Sequence, residues 1–481
     1  MSVMPASPPA RAPHSYSCGT LKYTTFGLIM LFVWLLWGDF INTLLDGSIP
    51  NILPFKLKEM GASGTEIQVL IRSFGCAISF LFAPPVGFHS DRHRGRWGRR
   101  IPYLIWSTPF VALFMILIGH YDVVTRLFIG DWEQVTVLGF IPLSRATVVI
   151  MIFGALLICY DFANIFVGCL YWYLFNDVVP QAVMTRYMAL FRVVGIGAGS
   201  LYSGYIFPHS LEHFGLIFTV GGIAYMAGFL VMCFMVKEGQ YGPPPENVDK
   251  GKGFVSSMKT FFKECFTHRF YWYFFLTSMF FFLSGQAGTF RGLRDRYSLG
   301  LTLQDLGTLG EWSGYANMLF LILLIPLAWI ADRLHPLRVY VVLTLICFLS
   351  PLAQCIWLFT DFGPHGNLVG QYIIAFAILP LAGVQGLVEI PMYMRVLPKE
   401  RYGQFCSANA SFRALAMMIG SVVAGLMMDA LGHYTGLGEW RYRYYIVWQV
   451  FFTIPGLVFM LLMYREWKAR GGLKGYTPPE V

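Results

Sequence analysis

The sequence predicts an all-α, polytopic membrane protein whose helices cross the bilayer twelve times. Two observations carry this prediction. Of the 481 residues, 56% are hydrophobic and only 13% are charged, which is about half the charged share of a soluble protein, so a soluble fold has too few charges to cover its apolar surface. The apolar runs are also long and continuous, whereas a membrane β-barrel gives short, alternating segments.

A helix that spans the bilayer needs about 20 predominantly apolar residues. Twelve stretches meet this requirement, near Tyr23–Leu45, Glu66–Phe88, Ile101–His120, Ala146–Phe175, Met184–Ile206, Phe214–Val236, Phe270–Phe290, Gly310–Ala331, Val339–Phe359, Val369–Met394, Gly403–Leu431 and Tyr444–Tyr464. They divide evenly around a polar segment that contains three consecutive prolines and several lysines. The predicted organisation is a disordered N-terminus (1–22), a six-helix half (23–236), a linker (237–269), a second six-helix half (270–464) and a tail (465–481).

The distribution of basic residues predicts the topology. With the N-terminus inside, 23 lysines and arginines fall in inner segments and 9 in outer loops. Loops on the cytoplasmic side carry the excess of basic residues, so both termini are predicted to be cytoplasmic, in a plasma or inner membrane. The same distribution accounts for the net charge of +9 without nucleic acid as a partner.

The sequence also argues against an enzyme. None of the nine cysteines forms a CxxC motif or a pair in an outer loop, so we expect neither a disulfide framework nor a metal site. The sequence contains no nucleophile–base pair or phosphate-binding loop, and we predict no cofactor. The expected partners are a small-molecule solute, a coupling ion and the lipid bilayer, and the expected state is a monomer.

Two short repeats relate the halves. Phe191-Arg192 in the fifth span is followed by Gly199-Ser200 and Gly204, and Phe412-Arg413 in the eleventh is followed at the same offsets by Gly420-Ser421 and Gly425. Asp91-Arg92 after the second span is matched by Asp332-Arg333 after the eighth. Two pseudo-symmetric six-helix halves joined by a central loop describe the major facilitator architecture.

The loop after the second span predicts a gate. In Ser90–Tyr103 one acid, Asp91, is surrounded by five arginines, and such a carboxylate can cap a helix or pair with arginines in one transport state only. Anchoring of the topology by positive charge is the simpler role of the same residues. The residues assigned to gating are Asp91, Arg92, Arg96, Gly98, Arg99, Arg100, Asp177, Arg192, Asp332, Arg333 and Arg413.

These motifs resemble a known transporter family. The pattern Asp-Arg followed by Arg-x-Gly-Arg-Arg-x-Pro resembles the glycoside–pentoside–hexuronide/cation symporters and, within them, the sucrose/proton symporters. Those relatives carry Asp-x-Ala-Asn in the fourth span and a second Asp sixteen residues after the first. Asp161, Ala163, Asn164 and Asp177 reproduce this spacing. The resemblance implies alternating access around a central cavity lined by the first, fourth, seventh and tenth spans.

One position departs from that pattern. The sucrose symporters carry an arginine eleven residues after the first Asp, associated with sugar binding and coupling, and this chain has Trp172 there. The family role therefore extends to Asp161 but not to residue 172. A weaker resemblance exists to facilitator-like proteins of light-harvesting assembly, whose second loop also reads Ser-Asp-x-His-Arg followed by Arg-Arg-x-Pro-Tyr.

Asp161 is the first candidate for ion coupling. It lies near the middle of a span, where an ionised carboxylate costs at least about 2.5–3.5 kcal/mol. Because burial disfavours the charged form, this carboxyl group is suited to taking up and releasing a proton. Asn164 lies one turn further on the same face. The alternative is a structural pair with a buried arginine.

Asp39 and Arg72 form a second candidate. Asp39 lies roughly 6 Å from the outer end of the first span and Arg72 roughly 9 Å from the same end of the second. Because these depths match, we predict an ion pair and assign Asp39 a part in coupling. The alternative for Asp39 is an interfacial acid beside Trp34 and Trp37.

Polar and aromatic side chains within the spans are the candidates for solute binding. Hydroxyl and amide groups hydrogen-bond sugars, and aromatic faces suit sugar rings. The candidates are Asn42, Tyr160, Asn164, Trp172, Gln286, Gln385 and Glu389. Glu389 has a second interpretation, because it lies near Arg395 and is compatible with a structural role.

The sequence thus predicts a secondary active transporter that moves a small polar solute, a sugar or glycoside, in symport with a proton or sodium ion. Two other functional classes stay open. One is a drug or metabolite exporter of the same fold, which predicts a more apolar cavity. The other is a non-transporting receptor or assembly factor, which predicts binding without flux. The solute and the direction of transport are not encoded in any motif.

Overall fold

The computed structural model of the protein describes residues 16–46, 48–130, 134–137, 141–180, 183–241, 265–398 and 402–479. Within a bilayer the backbone N–H and C=O groups have no water partners, so long apolar stretches satisfy them by forming helices. Each of the twelve predicted spans coincides with a helix, which confirms the predicted fold class.

The spans are numbered one to twelve in chain order. Their helices are Thr25–Asp46, Gly64–Arg92, Ile101–Gly119, Arg145–Val178, Met184–Leu201, Phe214–Met235, Arg269–Ser284, Leu303–Leu334, Pro336–Cys347, Gly363–Val396, Tyr402–Tyr434 and Tyr445–Ala469. Among the described residues, nine helices are long and apolar enough to cross a membrane. The seventh, eighth and tenth spans are the three predicted spans that this criterion omits.

Several spans change their helical pitch near one end. The second span contains a π-helical turn at Val69–Ser73 between α-helices Gly64–Gln68 and Phe74–Arg92. The fifth ends in a π-helical turn, Tyr202–Ile206, and a 3₁₀ turn, Phe207–His209. The seventh continues through Gly285–Thr289 (3₁₀), Phe290–Leu293 (α) and Arg294–Ser298 (π), and the ninth through Leu349–Gln354 (α) and Cys355–Leu358 (3₁₀).

Short elements outside the spans were missed by the sequence prediction. They are the helices Ser48–Glu59 and Tyr121–Ile129, the 3₁₀ turns Gly438–Tyr444 and Gly472–Lys474, and the antiparallel strand pairs Tyr16–Cys18 with Leu21–Tyr23 and Gln134–Val137 with Ile141–Ser144. The predicted disorder over residues 1–22 is therefore wrong from Tyr16 onward, where the chain forms the first strand pair. Gly19 adopts φ +56° and permits the tight turn between the two strands. Residues 242–264 of the predicted linker lie outside the described residues, and the domain boundaries stay predictions.

The second and eighth spans begin in the same way. Ser63 accepts a hydrogen bond from the backbone N–H of Glu66, whose carboxylate accepts one from the Ser63 N–H. Thr302 and Asp305 form the same reciprocal pair. Such capping boxes satisfy N–H groups that have no partner within the helix, and they fix where each span begins.

Packing within the two halves follows one pattern. In the first half the first span packs on the fifth and sixth, the second on the fourth, and the third on the fourth and sixth. In the second half the seventh packs on the eleventh and twelfth, the eighth on the tenth, and the ninth on the tenth and twelfth. Each pair in one half has its counterpart six spans later, so the halves are pseudo-symmetric.

The halves meet mainly through two pairs of spans, the second with the eleventh and the fifth with the eighth. We call the end of the molecule that carries the arginine-rich loop 92–100 the basic face, and the end that carries helix Ser48–Glu59 the opposite face. Hydrogen bonds between described residues of the two halves lie from mid-depth to the opposite face, as between Ser73 and Ser421 at 2.6 Å. The second span's first residues, Gly64 and Thr65, bind the Asp429 carboxylate there.

Besides a small cluster of Leu299, Leu301 and Trp357, two larger clusters of buried apolar side chains form the core of the described residues. One occupies the first half and extends across the interface through Phe290 and Met428. The other lies within the second half, around Phe275, Phe405 and Met460. The interface at the opposite face is thus continuous with the core of the first half.

Candidate functional site

The residues of the arginine-rich loop meet the end of the fourth span. The Arg99 Nε donates to Asp177 Oδ2 at 2.9 Å and the Arg100 Nε to the same oxygen at 3.1 Å. Arg100 also pairs with Asp91, and Arg99 lies 3.7 Å from that carboxylate. Two arginines are therefore shared between two carboxylates at the basic face of the first half.

Glu238, which the sequence prediction missed, completes this cluster. Its carboxylate accepts hydrogen bonds from the backbone N–H groups of Arg99, Arg100 and Ile101 at 2.7–2.8 Å. These are N–H groups at the start of the third span, where the helix dipole favours negative charge. The only sequence signal for this role is an acid directly after the sixth span.

Tyr241 and Gly98 both contribute to the position of Glu238 beside the arginine-rich loop. The Tyr241 hydroxyl donates to Glu238 at 3.0 Å, and the Arg99 guanidinium lies 4.2 Å above the Tyr241 ring. Burial, together with the Glu238 charge, raises the pKa of Tyr241. Gly98 adopts φ +99°, and a Cβ at this position would lie 2.5 Å from the Glu238 side chain. The loop therefore requires glycine here.

The remaining gating candidates are not all brought together. Arg413 pairs with Glu389 within the second half, whereas its repeat counterpart Arg192 is exposed. Arg96 is also exposed, and Arg92 is half-buried at the end of the second span. The side chains of Asp332 and Arg333 lie outside the part of the chain that the structure describes.

Asp161 lies half-buried near the middle of the fourth span, against the second span. A Cβ on Gly75 would approach its Oδ2 to 3.1 Å, so this glycine makes room for the carboxylate. Within the described residues, no protein group hydrogen-bonds or pairs with the Asp161 carboxylate. The structural pair with a buried arginine, the alternative role for this residue, does not form there.

Asp39 is almost completely buried, with 2% of its surface exposed. Its Oδ1 accepts a hydrogen bond from the Thr43 hydroxyl at 3.3 Å, and its Oδ2 has no partner among the described residues. The same oxygen would lie 3.6 Å from a Cβ on Gly195 in the fifth span. Asp39 and Asp161 therefore face different neighbours.

The predicted ion pair between Asp39 and Arg72 is wrong. The Arg72 Nε lies 3.4 Å from Thr289 Oγ1 in the seventh span, across the interface between the halves. The prediction matched the depths of the two residues but not their rotation about the helix axes. The π-helical turn Val69–Ser73 inserts an extra residue into the turn, so an ideal α-helical projection does not place Arg72.

Three of the first-half candidates for coupling and solute binding, Asp161, Asn164 and Trp172, lie on one face of the fourth span. Asp161 and Asn164 are half-buried and Trp172 is 52% exposed, so exposure increases toward the basic face. The Trp172 ring contacts Phe175 and Phe191. Tyr160 is buried in the core, and Asn42 is half-buried in the first span.

The candidates of the second half fall into two places. Gln385 and Glu389 line a cavity of about 330 Å³ within that half, together with Ser278 and Arg413. Gln385 donates to Thr344 Oγ1 at 2.9 Å. Gln286 is instead buried where the halves meet, and its backbone carbonyl accepts a hydrogen bond from Gln68. The predicted set is therefore not one continuous site.

A larger polar cavity of about 510 Å³ lies between the halves, toward the opposite face. We call it the interface cavity; its polar lining includes Arg72, Ser203, Thr289, Arg291, Asp295 and Gln371. Arg291 and Asp295 were missed as site residues because the predicted seventh span ended at Phe290. The run Arg-Gly-Leu-Arg-Asp-Arg at 291–296 was assigned to an outer loop. Among the described residues, no cluster of acidic, histidine or cysteine side chains could hold a metal ion.

Comparisons with known proteins agree with this architecture. A sequence profile described as MFS/sugar transport protein matches residues 67–465. No curated protein sequence matches significantly.

Several solved structures share the fold. One is a bacterial homologue of the human lysosomal transporter Spinster, inward-facing and unoccupied (TM-score 0.59, 13% identity, covering 94% of this chain and 98% of that one). Others are the nucleoside transporter NupG (0.61, 14%, 90% and 99%) and a D-xylose–proton symporter (0.58, 11%, 91% and 96%).

Proposed function

The chain belongs to the MFS/sugar transport protein family and is a transporter rather than an enzyme, and from this premise we propose that it moves a small polar solute, a sugar or glycoside, in symport with a proton. The coupling residue in this proposal is Asp161. The solute travels along a path between the two halves, which rock about it to expose either face in turn.

The isolation of Asp161 carries the proposal. A carboxylate within a membrane span is normally paired, because charge there is costly. Asp161 has no partner among the described residues, and Gly75 keeps the space beside it open. A lone carboxyl group in this setting is favoured in its neutral form and can exchange a proton with a path that becomes wet.

The exposure of the fourth span supports a path from the basic face. Asp161, Asn164 and Trp172 lie on one face of the helix, and exposure rises along that face. The hydrogen bonds that join described residues of the two halves lie away from the basic face. This arrangement fits a conformation that is closed at the opposite face and open at the basic face.

The orientation in the membrane is part of the proposal. Loops on the cytoplasmic side carry the excess of basic residues, so the basic face is cytoplasmic and both termini lie on that side. The open path then faces the cytoplasm. The short helical segments outside the spans that carry Lys56, Arg126 and Arg441 lie on the other side.

The proposal is tested by uptake into proteoliposomes. A panel of radiolabelled mono- and disaccharides is offered with and without an imposed pH gradient, and sodium is omitted. We expect gradient-driven accumulation of at least one sugar by the native protein. Asp161→Asn should abolish accumulation while solute exchange persists, because the amide cannot carry the proton. Asp122→Asn, a change at an exposed acid of helix Tyr121–Ile129, serves as the control.

Full gradient-driven uptake by Asp161→Asn would refute coupling through this residue. Uptake of a sugar that needs sodium instead of a pH gradient would refute proton coupling but not sugar transport. Absence of flux for the whole panel, despite saturable binding, would favour a receptor over a transporter.

A further inference from the structure

The interface cavity carries an inference that does not depend on coupling through Asp161, since Asp161 is not part of its lining. We propose that this cavity binds a small hydroxylated carboxylate, with Arg72 as the group that anchors the anion. The site combines an arginine without an acidic partner, an excess of positive charge and a convergence of irregular helical turns.

The irregular turns single out the cavity. The described part of the chain contains three π-helical turns, Val69–Ser73, Tyr202–Ile206 and Arg294–Ser298. Each of them supplies lining to the same cavity, through Arg72, Ser203 and Asp295 respectively. A π-helical turn gives up regular helical hydrogen bonding, and such turns occur frequently at functional sites.

The charges around the cavity do not balance. Asp295 is the one acidic residue in the described lining. Its carboxylate is already bound by Arg294, whose side chain is fully buried behind the cavity wall, and by Gln371 at 3.3 Å. Arg291 lies 3.9 Å from the same carboxylate. Two guanidinium groups therefore lie against this single carboxylate, and Arg72 adds a third positive charge to the lining without contacting Asp295.

Arg72 is the guanidinium that is left for a ligand. Its single hydrogen bond among the described residues is the long contact from Nε to Thr289, which leaves both terminal NH₂ groups without a protein acceptor. An arginine at this depth of a span is costly unless it is paired or lines a wet cavity. The planar fork of a guanidinium matches a carboxylate through two parallel hydrogen bonds.

The rest of the lining defines the remainder of the ligand. Ser203, Thr289 and Ser313 present hydroxyl groups, and Gln371 presents an amide. Such groups hydrogen-bond hydroxyls on a ligand. The volume of about 510 Å³ falls in the range of small-molecule sites, so a carboxylate that carries several hydroxyl groups fits both the charge and the size.

Binding of gluconate and sorbitol to the purified full-length protein in detergent tests the proposal. The two probes have the same carbon chain and similar size, and differ chiefly in the carboxylate. We expect saturable binding of gluconate by calorimetry, and no binding of sorbitol. Arg72→Gln should weaken gluconate binding by about tenfold or more, as expected for the loss of a charge-assisted pair. Arg72→Lys keeps the charge but not the planar guanidinium, so its affinity for gluconate should lie between those of the native protein and Arg72→Gln.

Arg126→Gln is the matched control, because Arg126 is an exposed arginine that does not line the cavity, and it should bind gluconate as the native protein does. Size-exclusion profiles confirm that each variant is folded. Equal gluconate affinity in the native protein and Arg72→Gln would overturn the proposal. Binding of sulfate with none of gluconate would overturn the assignment to a carboxylate. Since the assay requires no flux, failure of sugar uptake would leave this result unaffected.

Discussion

Arg192 and Arg413 occupy matching positions in the two halves, yet their surroundings differ. Arg413 pairs with Glu389 and donates from Nε to Ser278 Oγ at 2.7 Å. Arg192 is exposed. The repeat therefore matches in the arginine but not in its ion pair, as far as the described residues are concerned.

Removal of the Glu389 charge should destabilise the second half. In Glu389→Gln the Arg413 guanidinium keeps Ser278 and the face of Phe282 but loses its carboxylate. We expect a loss of about 1.5–3 kcal/mol, the range for a hydrogen bond to a charged group, seen as a lower apparent melting temperature in detergent. The double variant Glu389→Gln/Arg413→Gln should be less destabilised than the sum of the two single variants.

Arg192→Gln provides the comparison, because Arg192 is exposed and has no carboxylate partner among the described residues, so its replacement should leave the melting temperature unchanged. Strict additivity of the Glu389 and Arg413 substitutions would contradict an energetically coupled pair.

At the residue level, sequence reasoning succeeded where a motif fixes local geometry. It selected Arg99, Arg100, Asp91 and Asp177, and the structure brings these four side chains together, while their role in gating stays a prediction. It failed for Asp39 and Arg72, because depth along a helix is readable from sequence whereas rotation in an irregular turn is not. Glu238 was not predicted because its partners are backbone N–H groups, and every residue type except proline has one, so the sequence does not identify them.

The start of the third span is the element that depends most clearly on a single glycine. Gly98 adopts φ +99°, a region that costs other residues about 1–2 kcal/mol, and a methyl group there would also meet Glu238. We therefore expect Gly98→Ala to displace Glu238 from the helix start. Hydrogen exchange at Arg99, Arg100 and Ile101 should accelerate, since these N–H groups would lose their acceptor.

Gly199→Ala is the matched control, because a Cβ at Gly199 meets nothing within 4 Å and alanine favours a helix over glycine. Unchanged exchange at the start of the third span in Gly98→Ala would contradict the role assigned to Glu238.

At the level of elements, the long apolar runs predict the twelve spans, and all twelve coincide with helices. Their ends were less predictable. The seventh span continues to Ser298 through charged residues, because Arg294 and Asp295 neutralise each other in the interior. Hydropathy treats each charge separately and so placed this segment in a loop. The amphipathic helix Ser48–Glu59 is too short and too polar to register as a span.

Asp429 links the halves at the opposite face. Its carboxylate accepts hydrogen bonds from the Gly64 N–H at 2.6 Å and the Thr65 N–H at 2.8 Å. These groups begin the second span, so the contact adds a helix-terminus charge interaction to the closed interface. The matching position in the fifth span is Pro208, which packs on Gly307 and offers no carboxylate.

Asp429→Asn should loosen this closure. An amide has less charge to offer the two N–H groups, so the equilibrium should shift toward opening at the opposite face. In a cysteine-free background, a cysteine at Ser313 in the interface cavity should react faster with a bulky thiol reagent applied from that side. Glu212→Gln, at an exposed acid on the same face, should not change the rate. Equal rates in the native protein and Asp429→Asn would contradict a role in closure.

At the level of the whole molecule, the repeats at Arg192 and Arg413 predicted two related halves, and the matching packing pairs confirm them. The contacts between the halves could not be predicted. They involve small residues such as Ser73, Ser421 and Gly425, whose pairing depends on how the halves dock rather than on any local pattern.

The binding of Glu238 and Tyr241 to the third span has a consequence for biosynthesis. Both residues follow the sixth span directly, so the segment that binds the start of the third span is translated before any part of the second half. N-terminal units generally fold first during synthesis. We therefore expect the contacts of Glu238 with the start of the third span to form before the second half is synthesised.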